Sequence, residues 1–301
     1  MPPISRNSYS ALLRPDVYRV YMETGVERPL EYTSFLNVVD MPYNPIRDQQ
    51  MAGMPTMPDK LEGERFATRQ PLIGTAKERL AAARGMAVEF TFEAWDDELY
   101  GVFPEEASEL RRSSNNRLEV DATEVLNEAF NTAFTGFTAS EALCSASHTM
   151  LDGSTQANRP SPDIGFSQTY IQGALLRFHG MKDHNGLPRL MYPTTVVIAP
   201  DNIFAAREIL GSSGAPYSSD NEINSLVQED LKWMVSHYLS SSTAHFMLCA
   251  QGVHDLQIGI KNAPMFDSFD DPWTKNAVFT VYQRNTNGYY NAWQGVDGST
   301  G

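Results

Sequence analysis

Between residues 41 and 68 the chain cannot form a continuous helix. Prolines stand at positions 42, 45, 55 and 58. Each removes a backbone donor and pushes the residue before it away from helical geometry. Met41, Met51, Met54 and Met57 are interleaved with them. A stretch of this length without secondary structure is uncommon in a compact domain and usually serves a function. Two readings fit it. One is a flexible loop or linker. The other is an extended arm lying on a neighbouring molecule, a role that suits the adaptable thioether of methionine.

The flanks carry ordinary signals. Residues 11–22 read as a short helix with Pro15 near its start, and residues 27–40 as extended, with a strand at 35–39. Residues 78–83 look helical, whereas 86–92 alternate apolar and polar side chains as a strand does. The strands at 35–39 and 86–92 would then be two legs of a long hairpin-like excursion. Next comes the strongest helix. Pro104 occupies a first-turn position, and Glu105 and Glu106 suit a helix N-terminus. Ala107, Leu110, Ser114, Leu118, Ala122, Val125, Ala129 and Ala133 recur every three or four residues, Leu126 and Phe130 widen the stripe, and Gly136 closes it. About 30 residues at 1.5 Å each predict a rod of roughly 45 Å. The stretch 113–116 (Ser-Ser-Asn-Asn) is a weak point where the rod would kink. Arg111, Arg112 and Arg117 fit either a solvated helix face or a subunit contact.

The second half alternates helices and strands. The pattern predicts a helix at 166–179, a polar hairpin at 181–189 turning on Asn185-Gly186, and a buried β-branched strand at 194–199. Asp201 is placed to cap a helix over 203–210. A Gly/Ser/Asn loop follows at 211–224, then strands at 246–250 and 256–260. Two final strands, 277–284 and 289–293, read as a hairpin joined by Asn285-Thr286-Asn287-Gly288.

Composition and motifs exclude several functions. Apolar residues make up 42% and charged residues 20%, a folded rather than a disordered balance. The net charge of −14 argues against gripping phosphate backbones, which takes Lys and Arg. Such acidity serves solubility and self-repulsion. Cys144 and Cys249 form no C-x-x-C pair and read as buried thiols in a reducing compartment. Residues 1–20 lack the apolar core of a leader, and no apolar run reaches membrane-spanning length. The six histidines follow no metal-ligand spacing, and no phosphate-binding glycine loop exists. Ser145, Ser147 and His148 lack the G-x-S-x-G context of a hydrolase. Asp267, Asp270 and Asp271 lack calcium-loop spacing, and Phe266, Phe269 and Trp273 beside them suggest a packed turn.

One ordered set of features carries a resemblance. Ser147-His148 is followed by the Asp152-Gly153 to Asn158 loop, the strand and proline at 196–200, the helix at 205–210, Asn221 and Asn224, and the ending 289–301 (YYNAWQGVDGSTG). This order resembles the major head subunit of tailed bacteriophages, in the branch that includes the Mu-like head protein. It covers 142–301, about half the chain, while the first half matches in layout. The resemblance implies an α+β fold of the Hong Kong 97 capsid type: an N-terminal arm at 1–40, an extended loop region at 41–85, a peripheral domain at 86–160 and 266–301 with a spine helix at 104–134, and an axial domain at 161–265. It implies a structural protein of the virion, assembled in the host cytoplasm, with no catalytic residue, cofactor or metal. The subunit would form pentamers and hexamers and then an icosahedral head around double-stranded DNA, which it would not read by sequence. Scaffolding, portal and decoration proteins would be its other partners.

The inter-subunit contacts expected are Met51, Met54, Met57, Lys60 and Phe66 on the loop, Arg111 and Arg112 on the helix, and Asn221 in the 211–224 loop near the capsomer axis. Some relatives cross-link through a Lys–Asn isopeptide bond. Lys60 and Lys77 are the lysines of the loop region, but no residue pattern here marks such a bond. Two alternatives stand beside this reading. A nanocompartment shell shares the fold, and an α/β hydrolase would need a pocket that no motif announces.

Overall fold

A computed structural model describes residues 15–24, 29–68, 70, 73–96, 102–212, 214 and 224–301. In chain order it has helix α1 (Pro15–Thr24), strands β1 (Asn37–Asp40), β2 (Ile46–Met51), β3 (Ile73–Arg79) and β4 (Ala82–Phe90), and helices α2 (Phe92–Asp96) and α3 (Val102–Asn127). Then come β5 (His148–Thr149), β6 (Thr155–Gln156), α4 (Gln168–His179), β7 (Pro193–Ile198), α5 (Ile203–Gly211), β8 (Lys232–Val235) and β9 (His245–Cys249). The last strands are β10 (Leu256–Asp270), β11 (Ala277–Asn285), β12 (Tyr289–Tyr290) and β13 (Val296–Ser299).

Two sheets and one ribbon organise these elements. The first sheet runs β1-β10-β11-β4, with β12 also on β10. The second runs β13-β9-β7-β8, so β7 is central as its β-branched sequence predicts. β2 and β3 form a separate antiparallel ribbon. Two hydrophobic clusters underlie the sheets. The larger joins the C-terminal half of α3 (Leu118, Ala122, Val125, Leu126) to α4, β7, β9 and the start of β10 (Leu256, Ile258). The smaller joins Ala107 and Leu110 of α3 to Val17 and Tyr21 of α1 and to Phe279 and Val281 of β11, with Phe266 of β10 packed against it. Helix α3, about 39 Å long at 1.5 Å per residue, and β10 both run through the two clusters and tie them together. The predicted apolar stripe of α3 is buried from Ala107 to Ala129, whereas Ala133 is exposed.

A buried carboxylate sets where α3 lies on the first sheet. Asp121 is fully buried. Arg84 of β4 reaches it through Nε at 2.6 Å and Nη2 at 2.9 Å. Arg117 of the same helix lies at 2.7 Å, and the Asn285 amide donates at 2.8 Å. The Asp121 backbone carbonyl accepts the Gly288 N–H at 2.6 Å. Gly288 is therefore pressed on the helix backbone. A Cβ there would land on the Ala122 carbonyl oxygen, a contact only glycine avoids.

Several expectations are corrected. The helix expected to run to Gly136 ends at Asn127. There the Asn127 side chain turns outward, donating to the Tyr238 carbonyl and accepting from the Ser240 N–H. Residues 113–116 continue the helix and cause no break. Residues 78–83 are the end of β3 and the start of β4 with Leu80 and Ala81 between, because pairing of β3 with β2 and of β4 with β11 overrides local helical preference. The legs of the excursion are β2 and β3. Strands β1 and β4 instead pair with β10 and β11. Asp201 sits in a 3-10 turn ahead of α5 and makes no cap bond. β10 is 15 residues long and carries Asp267 and Asp270 within the strand. β12 pairs with β10, so Asn285–Gly288 is not a hairpin turn but an in-line interruption along one neighbour.

Replacing Asp121 with Ala leaves Arg84 without its buried partner and is expected to cost about 3–5 kcal/mol, read as a lower urea midpoint of the unassembled subunit. Gly288→Ala should cost about 1–3 kcal/mol by overpacking in the same assay. An unchanged midpoint in either variant would show that α3 is not positioned by this contact.

Candidate inter-subunit surfaces

The ribbon is pinned along its length. Successive same-face residues of β3 hold the segment after α3 and strand β12: Thr75 donates to the Phe137 carbonyl, Lys77 Nζ to Thr135 Oγ1 at 2.8 Å, and Arg79 Nη2 to the Tyr290 carbonyl at 2.9 Å. Arg79 also lies 5.1 Å over the Tyr289 ring. On β2, Asp48 accepts the Asn291 amide at 2.8 Å. The 181–189 hairpin turns at Gly186 as predicted, with φ +77°, and it grips the ribbon's far end. His184 Nε2 is 3.1 Å from the Gln50 amide, and the Asn185 amide donates to the Gly53 carbonyl at 2.7 Å.

Beyond Gly53 the chain leaves this support. All described residues from 53 to 68 are exposed. Met51 is 63%, Met54 58%, Met57 90% and Phe66 82% exposed, with Leu61 in the same stretch at 68%. Lys60 lies 5.2 Å over the Phe66 ring, and the Leu61 N–H meets Glu64 at 3.4 Å. Five of the expected contact residues thus gather on one projecting segment. Leu61 was missed because a single leucine in a polar stretch carries no periodic signal.

The helix arginines divide. Arg111 serves its own chain, lying 5.2 Å from the Tyr21 ring centre and donating to the Tyr21 hydroxyl at 3.2 Å. It locks α1 onto α3. Arg112 lies on the exposed side and pairs with Glu109. Asn221 lies outside the described residues, as does most of the 211–224 loop. Asn224 is buried, where its amide donates to the Ile209 carbonyl at 2.6 Å and the Ser212 carbonyl at 3.0 Å.

Where the segment after α1 crosses α3, Glu119 is buried and accepts the backbone N–H groups of Glu31 and Tyr32. Burial raises its carboxyl pKa to about 7; the two N–H bonds oppose the shift, and the neighbouring Glu31 carboxylate adds to it. Glu31 itself takes the His237 N–H at 3.0 Å and lies 2.6 Å from His237 Nδ1.

The constellations that resemble chemistry are part of the frame. His148 stacks on Trp293 with ring centres 4.2 Å apart. Its nitrogens face Glu141 at 3.2 Å and Asn158 at 2.8 Å, so neither serves Ser145 or Ser147. Asp297 is buried between Tyr170 and Arg177, at 2.6–3.0 Å. Cys144 and Cys249 are free and buried, and burial pushes both thiols up. Among the described residues no cluster of acidic, His or Cys side chains is arranged for a metal, and no helix is long and apolar enough to cross a membrane. The packed turn expected around Asp271 is corrected. Phe266 is packed, stacking 4.5 Å from Tyr21, but Phe269 is 49% and Trp273 92% exposed.

A family model described as phage capsid protein matches residues 76–287. Among solved structures, the capsid of cyanophage P-SCSP1u aligns with 90% of this chain and 88% of its own, at TM-score 0.59 and 9% identity. Microbacterium phage Oxtober96 aligns with 97% of this chain and 94% of its own, at 0.53 and 13%. The encapsulin complex of Synechococcus elongatus PCC 7942 aligns with 91% of this chain and 88% of its own, at 0.52 and 11%. At such identities these likenesses establish the fold. No curated protein matches the chain in sequence.

The Glu119 contact has a definite pH signature. With its folded pKa near 7 and an ordinary value of 4.5, the folded state holds a proton that the unfolded chain has released. This group's contribution to stability therefore falls as pH rises through that window and levels off above it. Glu119→Gln removes the titration. The melting temperature of the variant relative to the unaltered subunit should rise from pH 5 to pH 8; a constant difference would refute the assignment.

Proposed function

The chain belongs to the phage capsid protein family, a major capsid protein of the Hong Kong 97 fold, and on that premise we propose which of its surfaces build the icosahedral head. The observation that carries the proposal is the segment from Met51 to Phe66: strongly exposed apolar side chains held out on a ribbon whose base is fixed. Isolated, such a surface favours aggregation. In a shell it is covered by the adjacent subunit, and a pinned ribbon lowers the ordering cost of docking.

In this reading residues 1–40 are an arm and 41–85 the extended loop. Residues 86–160 and 266–301 form the peripheral domain around the spine helix, and 161–265 form the axial domain. Met51, Met54, Met57, Lys60 and Phe66 contact the neighbouring subunit, and Arg112 on the exposed side of α3 makes a further contact. The 211–224 loop, including Asn221, meets its copies at the capsomer axis. Pentamers and hexamers close into a head that encloses double-stranded DNA without reading its sequence, because a net charge of −14 disfavours adhesion to phosphate. Scaffolding, portal and decoration proteins act on this shell, and assembly takes place in the host cytoplasm. Many moderate contacts repeated by symmetry, rather than one tight interface, hold such a shell. The encapsulin likeness supports a nanocompartment as a second reading, but the family model and the phage capsid structures favour the head.

The triple change Met51→Asp, Met54→Asp and Met57→Asp removes apolar contact and adds like charge at positions already exposed. Negative-stain microscopy and sedimentation should then show loss of closed particles, while circular dichroism and melting of the subunit stay unchanged. Normal particles from the triple variant would remove the loop from the assembly contacts.

A further inference from the structure

Trp273 has the most exposed large hydrophobic side chain among the described residues, at 92%. It stands at the tip of the β10–β11 hairpin, on a turn fixed before any partner arrives. Asp271 accepts the Trp273 N–H at 3.0 Å and the Thr274 hydroxyl at 2.9 Å. Its backbone N–H and carbonyl pair with Asn276 and Lys275 at 2.9 and 2.8 Å. The Asn276 amide then ties the turn to Glu89 of β4 at 2.7 Å. A rigid, solvent-facing tryptophan is the side chain that most often dominates a protein interface.

The same chain carries a matching cleft. It opens between α3 and β4, has a volume of about 530 Å³, and is floored by Leu110 and Val281, with the exposed Met86 on its wall. Among the described residues strand β4 is the sheet edge there, paired only with β11. Arg84 and Arg117 are the charged groups of the cleft lining; Asp121 pairs with both, and Glu124 nearby also acts on both. The lining itself therefore carries positive charge, in a chain that is acidic as a whole. The tip has the opposite sign: Asp267, Asp270, Asp271 and Glu89 stand there against Lys275. A hairpin cannot fill its own cleft. Val281 on the floor is four residues up the strand from Ala277, about 13 Å at strand rise, and the tip points away from it.

We propose that the Trp273 tip of one subunit seats in the β4–α3 cleft of a second copy of this chain. The contact rests on the shell reading and specifies one of its interfaces. It is head-to-tail, joining two different surfaces, the kind of contact that closes into rings or continues through a lattice. The apolar floor takes the indole, and the Arg84–Arg117 rim faces the acidic turn.

The test uses assembled particles and the pair Thr274→Cys with Ser113→Cys. Thr274 flanks Trp273, Ser113 lines the cleft, and the native cysteines are buried. After mild oxidation, a denaturing gel without reductant should show a ladder of dimers, trimers and larger species from the double variant. Each single variant should run as monomer. Dimers from Thr274→Cys alone would mean that tips meet tips, and monomer from well-formed double-variant particles would mean that tip and cleft never meet; either result overturns the contact. Trp273→Ala, at a site that supports nothing in its own chain, should lower particle yield at least tenfold with an unchanged melting temperature, and an undiminished yield would also overturn the contact. Failure of the unaltered chain to form any particle would instead reject the shell reading, and the contact with it.

Discussion

The carboxylate of Asp121 has no exposure to water, and a lone buried charge is among the costliest features a fold can hold. What offsets it is geometric. Arg84 arrives from β4, Arg117 from the next turn of α3, and the Asn285 amide from β11, while the carbonyl of the same residue takes Gly288. These partners come from three elements, so α3 can neither slide along the sheet nor rotate on it without leaving a charge unpaired. The rest of the subunit depends on that registration. α3 and β10 each pass through both hydrophobic clusters, so fixing one against the sheet fixes the two halves of the molecule relative to each other. Asp297 does comparable work in the second half, holding α4 to β13 through Tyr170 and Arg177.

A rigid frame matters to a shell subunit because its function is the position of its outer surfaces. The ribbon is held by side chains on both its strands, and the hairpin tip by the Asp271 turn. The tip presents Trp273 on a backbone turn that is settled before contact, and the ribbon fixes the point from which its exposed segment leaves, so less ordering entropy is lost on docking. Met57, Phe66 and Trp273 sit on projections, while Leu176 of α4 and Phe204 of α5 are strongly exposed on the body of the subunit. Side chains on these projections support little in their own chain. The acidic surplus adds a repulsion between subunits that the apolar contacts must exceed, which keeps single contacts weak and makes assembly respond to salt.

Much of this was legible in the residues. The stripe on α3, the buried strand at β7, the helix α4 and the Asn185-Gly186 turn are local patterns, and each formed near its predicted place. The family resemblance followed from their order. What the residues concealed was set by distant partners. β2 and β3 are polar enough to read as loop or helix, and become strands because Lys77, Arg79 and Asp48 find Thr135, Tyr290 and Asn291. The Asn-Thr-Asn-Gly stretch carries a genuine turn signal, but the β10 strand runs past it. Thr286 bonds to Gly259 in both directions, which keeps β11 and β12 on one line. The end of α3 was overestimated because Ala129 and Phe130 continue the apolar spacing after the helix has stopped. They are buried by the turn that follows it and not by another helical turn.

The surfaces were only partly legible, and the reason is an asymmetry in the hydrophobic rule. A buried apolar residue is expected; an exposed one carries information only once the fold shows that nothing in the chain covers it. The methionines of the ribbon loop could be suspected because proline kept them out of a helix. Trp273 could not. Beside Phe266 and Phe269 it looked like part of a packed turn, and Phe266 does pack. The difference lies in strand alternation: side chains on β10 face opposite sides of the sheet in turn. Phe266 faces α1 while Met265, Asp267 and Phe269 face outward, and the turn carries Trp273 beyond the sheet. The length of β10, invisible in local pattern, decides that alternation and so decides which aromatic joins the core and which remains exposed.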